Sequence, residues 1–366
     1  MSRFATRSVV VLAIPLLVAA ASPADAVVAA RTAAAGPAEF ITGVGSLEQV
    51  AATSAGNAWA VGATDGKTMI LRWNDGAWGQ VPSPSPGPAT SGLNGVAATS
   101  ASNAWAVGNA TDSKGNARGI ILHWTGEAWT QVPSAGGAIY LEGVAATSAS
   151  NAWAVGESTG GQELILRWNG TAWKRVGIPA GIGTFNGVTA ISATDAWAWA
   201  TGSYQVMLWN GKVWRQTAIP SLVLVNAVAA TSASNAWAVG YTGPANAIRT
   251  VILHWNGTKW QRVPSPSPGL EPVLDGVAVV SARNAWAVGV SYKKGSGSTM
   301  IGENLILHWN GTQWSQVSSP SLGTASSLLA VAATSAGNAW AVGNTEGSQD
   351  STYAGQILRW NGSSWK

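Results

Sequence analysis

The chain has 366 residues, a net charge of +4 and no cysteine. Charged residues make up only 10% of it, against roughly 25% in an ordinary globular protein, so Ser, Thr, Asn and Gly must cover its surface. The lack of cysteine excludes disulfides and a lipid-anchored lipoprotein. The scattered basic residues, with Lys293-Lys294 the one notable lysine pair, exclude the contiguous basic stripe that nucleic-acid binding requires.

Residues 1–26 read as a secretory signal peptide. Arg3 and Arg7 form a positive start, Val9 to Ala21 an apolar stretch, and Ala24-Asp25-Ala26 a small-x-small cleavage site. A membrane span is the competing reading, but it needs about 20 apolar residues, and this stretch is shorter and is broken by Pro15. The expectation is a secreted, extracellular or cell-wall-associated protein with no membrane insertion once the signal is removed. Residues 27–39 are rich in Ala, Pro and Gly and read as a flexible lead-in. Residues 40–366 then form a single folded domain, long enough to bury a core without disulfides.

From about Leu47 onward one tryptophan-rich unit occurs seven times. Its first Trp falls at Trp59, Trp105, Trp153, Trp197, Trp237, Trp286 and Trp340, at spacings of 46, 48, 44, 40, 49 and 54 residues. That period, with strand-like content alone inside it, predicts an all-β, seven-bladed propeller with about four antiparallel strands per blade.

The third copy shows how one blade forms. Leu141 to Thr147 is a small-residue apolar run suited to the crowded strand nearest the axis. In Asn151-Ala152-Trp153-Ala154-Val155-Gly156, alternation sends Asn, Trp and Val to one face and the small residues to the other, so the Trp of one blade can lie on the Ala face of its neighbour. Leu164 to Trp168 is the third strand. Asn169-Gly170 predicts a two-residue hairpin that pairs Leu166 with Trp173. Of the 22 Trp, 21 occupy three repeated positions and read as framework between blades; Trp199 alone stands apart.

The residue before the third-strand Trp is Arg72, His123, Arg167, Leu208, His254, His308 or Arg359. All three histidines are here. Equivalent positions in separate blades point in rotated directions, so a planar group stacked on a neighbouring aromatic is expected, and no metal site. No cofactor is expected. At the end of the chain the seventh copy stops at Trp365-Lys366, and Phe40-Ile41-Thr42 is expected to supply the outer strand of the last blade and so close the ring.

The run Ser-Ala-x-Asn-Ala-Trp-Ala-Val-Gly, followed by Ile-Leu-His-Trp-Asn-Gly-Thr-x-Trp, resembles the repeat of secreted actinobacterial WAVG propellers, loosely similar to kelch-like, Asp-box and tectonin-type propellers. The resemblance covers residues 47–366. Tectonin-like propellers imply glycan recognition, and Asp-box propellers include sialidases. Only Asp195 has Asp at the Asp-box position, the other six copies having Asn, which leaves the sialidase reading without support.

Function is expected where the copies differ. The first-to-second and third-to-fourth turns are nearly invariant, whereas the other connections vary in length and content and share the opposite face. All five tyrosines lie in these variable connections: Tyr140, Tyr204, Tyr241, Tyr292 and Tyr353. With Trp199, Arg249 and Lys293 they form the candidate ligand-binding set. Trp199 either floors a notch at the shortened fourth blade or fills core space there. The expected activity is non-catalytic recognition of a glycan or cell-wall polymer by a monomer, with a protein-interaction scaffold as the alternative. A glycoside hydrolase or lyase is a lesser alternative, because no pair of carboxylates stands out as catalytic.

Overall fold

A computed structural model describes residues 45–200, 205–296, 299–321, 325–346 and 353–366. The segments expected to be signal peptide and lead-in, and the expected closing strand Phe40-Ile41-Thr42, lie outside the described residues, as does Tyr204. Among the described residues every regular element is a β-strand. Seven blades of four antiparallel strands stand in a ring, with strands in sequence order from the axis outward. In the seventh blade the fourth strand is represented by Trp365-Lys366, which bridges back to Arg359-Trp360.

The inner strands are Ser46–Ser54, Thr90–Ser100, Ala138–Ser148, Phe185–Ala190, Val223–Ser232, Leu270–Ser281 and Ala325–Ser335. Each packs against the inner strands on both sides, the seventh against the first, so they form a closed cycle around the axis. Small residues make this possible. A Cβ added at Gly143 would stand 2.8 Å from Gly187 Cα in the next blade, closer than any side chain permits.

Three Trp per interface hold the blades together. Trp105 of blade 2 contacts Trp168 and Trp173 of blade 3 at 5.0 and 5.1 Å, and Trp153 of blade 3 contacts Trp209 and Trp214 of blade 4 at 5.1 and 5.2 Å. The face opposite each first Trp carries the Ala residues of its own strand, and on these the neighbour packs. Third-strand indoles donate to a turn carbonyl, as Trp168 does to Ala149 at 3.0 Å. Most of the other framework indole N–H groups are buried without an oxygen acceptor. Their rings meet neighbouring indoles near edge-to-face, where a π-face is a weak acceptor.

The stacking expected before the third-strand Trp is present. Arg167 lies over Trp153 at 4.8 Å and His123 stacks on Trp105 at 3.9 Å. Asn151 Oδ1 accepts from Arg167 and its Nδ2 donates to Thr147, so the repeated Asn ties strand, turn and cation together. Blade 4 has Leu208 in place of the cation and Asp195 in place of the Asn; Asp195 accepts instead from the hydroxyls of Ser192 and Thr194.

One register differs from the expectation. Trp168 pairs with Trp173 and Leu166 with Arg175, so the loop contains four residues, Asn169 to Ala172. Asn169 Oδ1 accepts from the backbone of Thr171 and Ala172 and from the Thr171 hydroxyl, and this side-chain turn widens the hairpin beyond two residues. Trp168 and Trp173 still share a face because they stand directly opposite.

Candidate functional site: the variable-loop face and the axial ring

Strand order places the second-to-third and fourth-to-first connections of every blade on one face of the ring. Straps crossing this face are fastened to the strands below. In blade 5 the Thr250 N–H donates to Ser267 Oγ at 3.1 Å and its hydroxyl to the Pro266 carbonyl at 2.8 Å. Thr68 makes the same bonds to Ser85 and Pro84 in blade 1, and Asn304 bonds Ser321 and Pro320 in blade 6. The Pro-Ser-Pro-Ser connectors of blades 1 and 5 and the Ser-Ser-Pro-Ser connector of blade 6 are therefore fastened to the strands below them.

The structure separates the expected site residues. Tyr140 is 38% exposed and lies opposite Glu157 in blade 3. Tyr241 is half-buried in the second strand of blade 5, between Leu224 and Thr250, and Tyr292 is half-buried in blade 6, between Leu270 and Gly302. Tyr353 starts the third strand of blade 7, opposite Glu346. Arg249 is exposed beside Thr242, whereas Lys293 is engaged in an ion pair with Glu303. Trp199 does not floor an open notch. It is fully buried and its indole N–H donates at 2.8 Å to the Asn226 carbonyl of blade 5, so it fills the wall between blades 4 and 5.

Two features escaped the sequence reading. The first is aliphatic. Leu222 is 72% exposed, Met300 41% and Leu270 38%, all on the variable side of blades 5 and 6. Leu222 has φ of +61° and Glu271, beside Leu270, has +45°. A left-handed conformation costs an L-residue roughly 1–2 kcal/mol, and here it sets a large apolar side chain in water. Nothing in composition marks Leu222, since its distinction lies in backbone geometry.

The second is an axial ring. Every inner strand has a register shift at the same point, and the residue it leaves over is Glu48, Asn94, Glu142, Asn186, Asn226, Asp275 or Leu329. Six of the seven are polar. Asn94 Nδ2 donates to the Leu141 carbonyl of blade 3 at 3.0 Å, and Asn226 Nδ2 to the Leu274 carbonyl of blade 6 at 3.0 Å and to Asp275 Oδ1 at 3.1 Å. A polar residue recurring inside an apolar strand was the signal available for it.

Burial pushes His123, His254 and His308 below the ordinary histidine value. Among the described residues no group of three His, Cys, Asp or Glu is placed to hold a metal ion, and no helix is long and apolar enough to cross a membrane.

No protein-family profile matches the chain, and no curated protein matches it. Solved structures do. YCF48 bound to a D1 peptide superimposes with a TM-score of 0.58 at 15% identity, over 88% of this chain and 96% of that one. A streptogramin B lyase gives 0.60 at 12% identity, over 86% and 93%. A xyloglucanase from Xanthomonas campestris gives 0.60 at 13% identity, over 88% of this chain and 52% of that one. At these identities the likeness is one of fold, and it includes peptide binders and enzymes alike.

Proposed function

We propose that the chain is a secreted, WAVG-repeat recognition propeller, non-catalytic, whose variable face docks a protein segment through Leu222, Leu270 and Met300. The observation that carries this reading is Leu222, an exposed leucine in a left-handed conformation just before the inner strand of blade 5, where its carbonyl accepts from the Thr242 hydroxyl. Strain of this kind persists where the surroundings impose it, and it clusters at ligand clamps. Aliphatic side chains of this type suit an apolar protein surface better than a sugar, whose flat face favours aromatic platforms. A propeller of the same fold with a bound peptide, YCF48, supports the reading by analogy.

Glycan recognition is the second reading, favoured by the exposed Tyr140 beside Glu157. One experiment separates the two. The protein and its Leu222→Ser/Leu270→Ser/Met300→Ser variant are probed on a peptide array and on a glycan array. The docking reading expects peptide signals that the triple variant loses. A glycan signal that survives the triple change and disappears with Tyr140→Ala would overturn it in favour of the second.

A further inference from the structure

Along the chain the basic residues look scattered, but the ring gathers six of them on its circumference. The outer hairpins of blades 3, 4 and 5 carry Lys174 and Arg175, Lys212 and Arg215, and Lys259 and Arg262. All six are exposed. The corresponding segments of blades 1, 2 and 6, residues 74–80, 125–131 and 310–316, contain no cation, and the first two carry Asp75 and Glu127. Blade 7 has Lys366 alone. One stretch of the rim, three successive blades long, is therefore basic.

Local structure fixes where these charges stand. Asn210 Oδ1 accepts from the Lys212 N–H at 3.1 Å, and Asn256 Oδ1 from the Lys259 N–H at 3.0 Å, so both lysines sit on closed turns. The arginines are strand residues, Arg215 opposite Leu208 and Arg262 opposite Leu253. Alternation puts Arg215 on the same side of its strand as Thr217, and Arg262 on the same side as Trp260. Trp260 Nε1 donates to Thr217 Oγ1 at 3.0 Å, so the two arginines flank one seam between blades 4 and 5. Blade 3 tapers the stretch, because Arg175 donates to the Glu163 carbonyl at 3.0 Å and stands near that residue's carboxylate. Blades 4 and 5 are its centre: no acidic residue occurs between Asp195 and Glu271. Among the described residues the ion pair seen is Lys293–Glu303, and none of the six takes part in one.

We propose that this rim binds a flexible acidic polysaccharide laid along the circumference of blades 3 to 5. Cations spread over three blades are matched by a polymer with repeated charges, not by one small anion. A guanidinium meets a carboxylate as a two-pronged donor. Beside the two central arginines stand the exposed amides of Gln216 and Gln261, which suit the hydroxyls between the charges of such a chain. Nucleic acid fits less well. The outer-strand indoles Trp173, Trp214 and Trp260 are only 4%, 2% and 5% exposed, so no base can stack on them. A duplex is too stiff to follow a convex edge of this size without a bending cost. The rim is separate from the variable face that bears Leu222, so the proposal does not depend on the docking function.

The test is calorimetric binding of polygalacturonate to the intact protein at low and high salt, with dextran as the neutral polymer and a single-stranded oligonucleotide as the competing polyanion. Binding should weaken as salt rises, because the contacts are exposed. Arg215→Glu/Lys259→Glu/Arg262→Glu should weaken it about tenfold or more, since each exposed charge contact is worth up to a few-fold in affinity. Replacing the same three residues by Gln should act in the same direction and carries the comparison should the Glu variant fail to fold. Lys67→Glu/Lys114→Glu/Lys366→Glu changes the net charge equally, away from this stretch, and should stay close to wild type. Equal losses in the rim and control variants would reduce the effect to net charge and overturn the proposal. So would absent polygalacturonate binding, dextran bound as well as polygalacturonate, or an oligonucleotide bound more tightly. Leu222→Ser/Leu270→Ser/Met300→Ser should leave polygalacturonate binding unchanged, which keeps failure here distinct from failure of the docking function.

Discussion

The indole of Trp340, in blade 7, lies 4.7 Å from that of Trp73, in blade 1, at an interplanar angle of 56°. The ring thus closes through the same contact that joins its other blades: Trp105 and Trp168 stand at 5.0 Å and 56°. Arg359 completes the match, lying over both Trp73 and Trp340 at 4.9 and 4.7 Å.

Trp340→Ala should therefore cost what Trp153→Ala costs, about 3–5 kcal/mol as a large core truncation. Both indoles are buried and meet two Trp of the next blade. Denaturant midpoints of the two variants check this. A much smaller loss for Trp340→Ala would show that this seam contributes little to stability.

Gln356→Leu should destabilise by about 2–3 kcal/mol, because it orphans buried polar partners. Gln356 is fully buried and exchanges two hydrogen bonds with Asn304 of blade 6, while also donating to the carbonyls of Ser327 and Asn344. Asn344 Oδ1 in turn accepts from the Leu47 N–H of blade 1. The network joins blades 6, 7 and 1, so chemical unfolding of Gln356→Leu should also show reduced cooperativity.

Leu222→Gly should raise stability by about 0.5–1 kcal/mol, since glycine adopts a positive φ without steric cost, and should weaken peptide binding at the same time. Calorimetric melting together with array binding reads both. Unchanged binding would remove Leu222 from the docking surface.

The three histidines set an acid limit. Their folded values lie below the ordinary 6.5, because burial disfavours the charged form. The unfolded chain therefore takes up protons first as pH falls below about 6.5, and the stability these groups contribute near neutrality is lost on acidification. Asp275 acts in the opposite sense, since its raised value makes stability fall as pH rises from about 4 to about 7. Melting curves between these limits should steepen toward acid in Asp275→Asn and flatten in a variant with all three histidines changed to Asn.

Particular residues show how far the sequence could be read. The Trp spacing determined the number of blades, because each copy is one supersecondary unit and alternation along Asn151 to Gly156 admits one packing face. The stacking of Arg167 and His123 followed from the same regularity. Local pattern did less well where a side chain competes with the backbone: Asn169 made a four-residue loop of an apparent two-residue hairpin. The site was less legible still. Trp199 is open to two readings in sequence, notch floor or core filler, and is core in the fold, because its exposure depends on blade 5, whose Asn226 carbonyl receives its N–H. Leu222 is an ordinary leucine until the fold sets it at positive φ. Asn226 and Asp275 are 49 residues apart and meet because the ring sets their strands side by side. Repetition is written in the chain one unit at a time. What passes between units depends on which surfaces the closed ring brings into contact, and that was decided by the tertiary structure alone.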